Sequence, residues 1–195
     1  VLIFSMEMPA ESLAMRILSS LGRIEQQHIR TGQLSDDDWP RVASAISIMH
    51  SKKLLIDDSG ALSPFEVRAR ARRVAREHNG LDLIVIDYLQ LMESPDGNKN
   101  YNREQEVSKM SRGLKLIAKE FNIPVVVLAQ LNRDAEKSTN KQPQLHHLRE
   151  SGAIEQDADL IVFIYRDEVY NKENSNDKGT AEIIIGKQRN ENAGN

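Results

Sequence analysis

Leu83-Ile84-Val85-Ile86-Asp87 and Val125-Val126-Val127-Leu128-Ala129-Gln130 decide the fold. Each is a continuous apolar run closed by a polar residue. Such runs suit strands covered on both faces, as in a parallel sheet. Parallel neighbours need a crossover of a dozen or more residues. The chain between the two runs supplies one, a polar loop from Glu93 to Asn102 and then a helical pattern from about Arg103 to Phe121.

Upstream, Val1-Leu2-Ile3-Phe4 reads as a strand entered part-way, without the charged region of a secretory leader. Pro9 suits a first helical position, and Leu13, Ile17, Leu18 and Leu21 continue at helical spacing until Gly22. A polar stretch holding Thr31-Gly32 leads to Ser35, an expected N-cap. The helix that follows carries Trp39, Val42, Ile46 and Met49 along one side. Lys53 to Ile56 is a short strand. Ser63-Pro64-Phe65-Glu66 spells a capping box with Pro at the first helical position, and Asn79-Gly80 ends that helix. Downstream, Asp159 to Tyr165 and Thr180 to Gly186 are two strands around the Asn171-to-Gly179 loop, short enough for an antiparallel hairpin at the sheet edge. The order predicts an α/β fold with a mostly parallel sheet, flanking helices and an antiparallel edge hairpin.

Composition narrows the function classes. A chain of 195 residues fits one domain and can bury roughly 70% of its unfolded surface. Mean hydropathy is -0.51 and no apolar run approaches the ~20 residues of a membrane span, so no membrane partner is expected. With no Cys there is neither a disulfide framework nor a thiolate metal site. Against 29 Asp+Glu stand 26 Lys+Arg, so any nucleic-acid contact must use a local basic patch. None of the ten Gly lies in a Gly-x-x-x-x-Gly-Lys-[Ser/Thr] phosphate loop.

In a parallel sheet, ligands bind beyond the carboxyl ends of the strands. Glu7, Asp87 and Gln130 each follow a strand there. Two carboxylates and an amide at one edge suit nucleotide hydrolysis: one acid behind a hydrated Mg²⁺, one acting on water, and an amide sensing a terminal phosphate. The same residues also suit turn capping and loop support. Lys187 and Arg189, one strand period apart, suit a phosphate-directed cation pair or the charged guard of an edge strand. Leu148-Arg149-Glu150-Ser151-Gly152 reads as a loop at a helix start, able to present N–H groups to phosphate, or as an ordinary amphipathic turn. Arg68, Arg72 and Arg76 form one helical stripe, best read as a solvated face.

Five motifs, in order and spacing, resemble the RecA-like C-terminal domain of DnaB-type replicative DNA helicases. They are Phe4-Ser5-Met6-Glu7-Met8; Ile84 to Leu91; Leu128-Ala129-Gln130-Leu131-Asn132-Arg133; Leu148 to Gly152 with Glu155 to Asp159; and Gly186-Lys187-Gln188-Arg189-Asn190. The resemblance covers essentially the whole chain and implies a RecA-like P-loop NTPase core using ATP and Mg²⁺. It implies Glu7 as the carboxylate acting on the attacking water, Asp87 as the Walker B acid holding Mg²⁺ through water, and Gln130 as the γ-phosphate contact. Arg16 matches an arginine lying against the nucleotide. Lys187, Gln188 and Arg189 match the segment that meets the ATP of the adjacent subunit, with Arg189 as arginine finger. Arg149, Glu150 and Gly152 match the contacts to single-stranded DNA, the last two through main-chain N–H.

The resemblance further implies a homo-hexamer, 5′ to 3′ translocation, unwinding at a replication fork, primase and a helicase loader as partners, and a cytoplasmic, replisomal setting. Three departures are expected to matter. The Walker A strand and loop would precede Val1, so the single RecA-like domain at 1–195 is incomplete at both ends, lacks the N-terminal primase-binding domain, and is expected to be inactive alone. His147 stands where the family usually has Asp. Asn190 to Asn195 lacks the expected Gly-Pro continuation. The alternative is a non-catalytic RecA-like module for assembly or DNA docking.

Overall fold

The computed structural model describes residues 1–94, 102–132, 134–137, 141–172, 175 and 177–189, without the side chains of 149–151. Arg133 and the Asn190-to-Asn195 tail lie outside the described residues. The chain forms two compact units: Val1–Glu93 with Ala118–Leu128, and Ser94–Ile117 with Ala129–Asn195.

The first unit is built on a four-stranded parallel sheet of β1 (Leu2–Ser5), β2 (Leu55–Asp57), β3 (Ile84–Asp87) and β4 (Val125–Val127), in the order β2-β1-β3-β4. Its registers are Ile3 with Ile56, Phe4 with Ile86, and Ile86 with Val127. Leu2, Phe4, Ile84 and Ile86 are buried at its centre. The expectation of strands covered on both faces needs correcting for β4, where Val126 is 48% exposed. β4 is the last strand of this sheet, and an apolar run cannot report whether a neighbour lies beyond it.

The helices of this unit include α1 (Ala10–Gly22), α2 (Gln26–Thr31), α3 (Asp38–Ser51) and α4 (Pro64–Glu77), with a 3₁₀ turn at Leu89–Leu91. The short α2 was not anticipated. α4 begins on the expected capping box: Ser63 N–H donates to Glu66 Oε2 at 2.8 Å, and Glu66 N–H donates to Ser63 Oγ at 3.3 Å. α3 starts at Asp38 rather than beside Ser35. The Asp38 carboxylate accepts the Ser35 N–H at 2.9 Å and O–H at 2.7 Å, and Arg41 Nη2 donates to it at 2.7 Å. Anchoring Asp38 inward turns Ala45 in with it and leaves Trp39 and Ile46 exposed. The expected apolar side of this helix is therefore rotated. The basic stretch on α4 is more than a solvated face: Arg68 and Arg72 share the Glu120 carboxylate, and Arg70 Nη1 donates to both Asp57 oxygens at 2.8 Å.

The second unit holds β5 (Leu160–Tyr165) and β6 (Glu182–Gln188), paired antiparallel as a two-stranded sheet. Ile161 pairs with Lys187 and Val162 with Ile185, so Gly186 is an extra residue, a β-bulge. Ile161 and Phe163 face a small core with Leu148, flanked by Leu131, Leu145, Ala158 and Ile184. Leu160, Val162, Ile164, Ile183 and Ile185 are exposed. Helix α5 (Arg103–Phe121) buries Val107, Met110, Leu114 and Ile117, a stripe at helical spacing. Further on come α6 (Asp134–Lys137), a 3₁₀ helix (Leu145–Ser151) running into α7 (Gly152–Asp157), and α8 (Asp167–Tyr170).

Candidate functional site

The carboxyl edge of the parallel sheet carries the two acids. Ser5, the last residue of β1, is the register partner of Asp87, the last residue of β3. Beyond it the chain turns under control: Met6 N–H donates to the Asp87 carbonyl at 2.8 Å, and Ser5 Oγ donates to the Met8 carbonyl at 2.7 Å. Ser5 is buried, which fixes the turn, while Glu7 at its tip is exposed. Asp87 is half-buried and followed by a cis peptide to Tyr88. Ala10 N–H, at the start of α1, donates to Asp58 Oδ2 at 2.9 Å and ties that helix to the residue after β2. Two turns further on, Arg16 projects from an exposed position of α1.

Among the described residues no group of three or more His, Cys, Asp or Glu is arranged to hold a metal. A single half-buried carboxylate fits a hydrated Mg²⁺ shared with phosphates, the usual habit of that ion, rather than an all-protein cage. A concavity of about 400 Å³ on α4, lined by Ala69, Arg72, Arg73, Arg76 and Glu77, does not include Glu7 or Asp87.

Gln130 belongs to the second unit, three residues beyond β4, and is exposed. The Leu148-to-Gly152 segment, expected as a loop, is helical, kinked at Leu148. Its start is set by His147. The imidazole Nδ1 accepts the Gln144 N–H at 2.9 Å, so the ring does what a carboxylate would do at that place. Burial, followed by the neighbouring His146, holds the His147 pKa below its ordinary value despite the opposing charge of Asp134, which keeps the accepting lone pair free. Arg149 and Glu150 lie in this 3₁₀ helix, their side chains outside the described residues. Gly152 starts α7 at an exposed position where an added Cβ would meet nothing within 4 Å.

Lys187, Gln188 and Arg189 lie at the end of β6. Lys187 Nζ donates to the Glu155 carbonyl and, at 2.9 Å, to the Ala158 carbonyl. Gln188 is exposed opposite Leu160. Arg189 N–H donates to the Asp159 carbonyl at 2.8 Å, and Arg189 Nη1 donates to Asp159 Oδ1 at 3.2 Å. The other Asp159 oxygen accepts from Lys115 Nζ. The hydrogen bond from Lys115, then that from Arg189, outweighs burial and holds the Asp159 carboxyl below the usual carboxylate range. The motifs include Lys187, Arg189 and Asp159 but assign no role to Asp159 and do not reach Lys115; the pairing of Asp159 with Arg189 and Lys115 arises only in the folded chain.

Comparisons with known proteins identify the family. The family model of the DnaB-like helicase C-terminal domain matches residues 1–195. The chain is 59% identical over 191 residues to the replicative DNA helicase DnaB of Buchnera aphidicola from Acyrthosiphon pisum, covering 97% of this chain and 41% of that protein. It is 58% identical over 192 residues to the DnaB of Pasteurella multocida, covering 97% and 40% respectively. The chain thus spans about two fifths of the length of these relatives. A solved structure of a DnaB-like replicative helicase and its interactions with primase superposes with a TM-score of 0.90 at 35% identity, over 97% of this chain and 45% of that one. Four parallel strands, an antiparallel hairpin and the family match together place the chain in the DnaB-like helicase C-terminal domain family.

Proposed function

We propose that the chain is the motor portion of a replicative DNA helicase that hydrolyses ATP with Mg²⁺ while moving 5′ to 3′ on single-stranded DNA. The observation that carries the reading is the β1–β3 register, which sets the turn bearing Glu7 beside Asp87 at one sheet edge. In this reading the exposed Glu7 carboxylate accepts a proton from the attacking water, or orients it. Asp87 holds the hydration shell of Mg²⁺, and the bound ion supplies charge neutralisation of the phosphates. Gln130 and Arg16 contact the nucleotide. Lys187, Gln188 and Arg189 reach the nucleotide of an adjacent copy in a homo-hexamer, and Arg149, Glu150 and Gly152 follow the DNA backbone. Primase and a loader are the proposed partners, in the cytoplasm at the replisome, and the primase-binding domain and phosphate loop belong to the full-length polypeptide. None of the 195 residues supplies a phosphate loop, so the chain alone turns ATP over weakly or not at all.

The test is steady-state ATP hydrolysis by the full-length protein with and without single-stranded DNA. Glu7→Gln and Asp87→Asn each abolish the DNA-stimulated turnover, and Arg189→Ala cuts it to a slow residual rate. Wild-type turnover in all three overturns the assignment. A wild-type protein that binds DNA or a partner without any turnover establishes the non-catalytic assembly module instead.

A further inference from the structure

We propose that Asp159 is a positioning residue for Arg189, an inference that rests on reading Arg189 as the cation meeting a neighbouring copy's nucleotide. Asp159 occupies the short link between α7 and β5 and holds Arg189 twice. Its main-chain carbonyl accepts the Arg189 N–H at 2.8 Å, and its Oδ1 accepts from Nη1 at 3.2 Å. The second carboxylate oxygen is occupied by Lys115 Nζ, from a lysine side chain only 24% exposed. Lys115 therefore fixes the carboxylate, and the carboxylate orients the guanidinium. Arg189 Nη2 is directed at the Gln156 carbonyl, 3.5 Å away. A guanidinium has five N–H donors, so three stay free for a phosphate while two hold its direction.

Stability does not account for this arrangement. The Arg189 and Asp159 side chains are 52% and 63% exposed, and ion pairs in that setting contribute little to folding. What the arrangement does supply is a long side chain ordered before its target arrives, which is the condition for a donor to act on developing charge without reorganising. Lys187 is held in a parallel way on the Glu155 and Ala158 carbonyls at the end of α7, the helix that begins at Gly152. Both cations of the segment are thus aimed by one stretch, Glu155 to Asp159.

The experiment is steady-state hydrolysis by the full-length protein assembled on single-stranded DNA, comparing Asp159→Asn, Asp159→Glu, Arg189→Ala and the Asp159→Asn/Arg189→Ala pair. Asp159→Asn lowers kcat by about five- to tenfold, as misorientation of a transition-state contact does, and leaves KM for ATP within about twofold. Asp159→Glu recovers most of the loss, and the double variant is no slower than Arg189→Ala. Wild-type kcat in Asp159→Asn beside a slow Arg189→Ala overturns the proposal and leaves the arginine's role standing. A further loss in the double variant also overturns it, as does a rise in KM at constant kcat. Wild-type turnover in Arg189→Ala removes the underlying reading, and the proposal falls with it.

Discussion

Gly186→Ala tests the packing that carries the cationic segment. An ideal Cβ on Gly186 would lie 2.4 Å from Phe163 Cε2, 3.1 Å from Phe163 Cδ2 and 3.3 Å from Leu145 Cδ2. Carbon atoms settle at about 3.5–4.0 Å, so the nearest contact is too close by about 1.1–1.6 Å. The Phe163 ring has little room to give, being 5% exposed and packed with Leu148 and Ile161. Overpacking of this kind costs about 1–3 kcal/mol. At about 2–4 °C per kcal/mol for a chain of this size, the melting temperature falls by about 2–12 °C. Hydrogen exchange followed on peptides covering β5 and β6 localises the loss, since unfolding free energies differ between parts of a structure. Adding Phe163→Leu to Gly186→Ala removes the overlap and recovers part of the loss, a coupling of about 0.5–3 kcal/mol in the double-mutant cycle. Unchanged β5 and β6 protection in Gly186→Ala, or strict additivity in the cycle, refutes the steric argument.

Three other perturbations read independent parts of the chain. Ser63→Ala removes the acceptor of the Glu66 N–H and destabilises by about 0.5–2 kcal/mol in urea titration, whereas Ser63→Asp stays close to wild type. At Asp57 burial raises the carboxyl pKa, but hydrogen bonds from Arg70 and Ser59 and the Arg70 charge carry it below 3.8 overall. The stabilisation is complete above 3.8 and is lost as pH falls through the lower folded-state value, so an acid titration of Arg70→Met is flatter there than wild type. His147→Ala strands the Gln144 N–H and costs about 1–3 kcal/mol, while His147→Asp restores an acceptor and recovers most of it in the same titration. Because the His147 pKa is depressed, its contribution is complete above 6.5 and declines as pH falls through the folded-state value; His147→Asp abolishes that decline.

Local signals were legible in the sequence and long-range ones were not. The Ser63–Glu66 capping box and the parallel order of the central strands follow from residues close in the chain, and the structure has both. The α3 expectation failed because periodicity states which residues share a side, not which side turns inward. The choice was made by Asp38 taking the Ser35 donors and Arg41. Likewise, a run of Val125 to Val127 looks alike whether or not a strand lies beyond it. Glu7 and Asp87 were readable because strand ends advertise a sheet edge. The pairing of Asp159 was not, although the residue closes a quoted motif, since it meets Arg189 across 30 residues and Lys115 across 44.

The bulge at Gly186 gives the segment after it a meaning that its letters do not contain. Ile183 and Ile185 share the outer side of the hairpin with Ile164 and Val162, but Lys187 is paired with the inward-facing Ile161. Without the extra residue, strict alternation would put Lys187 and Arg189 on the outer side with the isoleucines. Chain length in β6 therefore acts as a parity setting. A relative that keeps the Gly-Lys-Gln-Arg spelling but loses or gains one residue between Ile183 and Gly186 presents its cations to the opposite side. Aligning such sequences by matching letters, with the gap placed wherever it scores best, would equate residues that point in opposite directions.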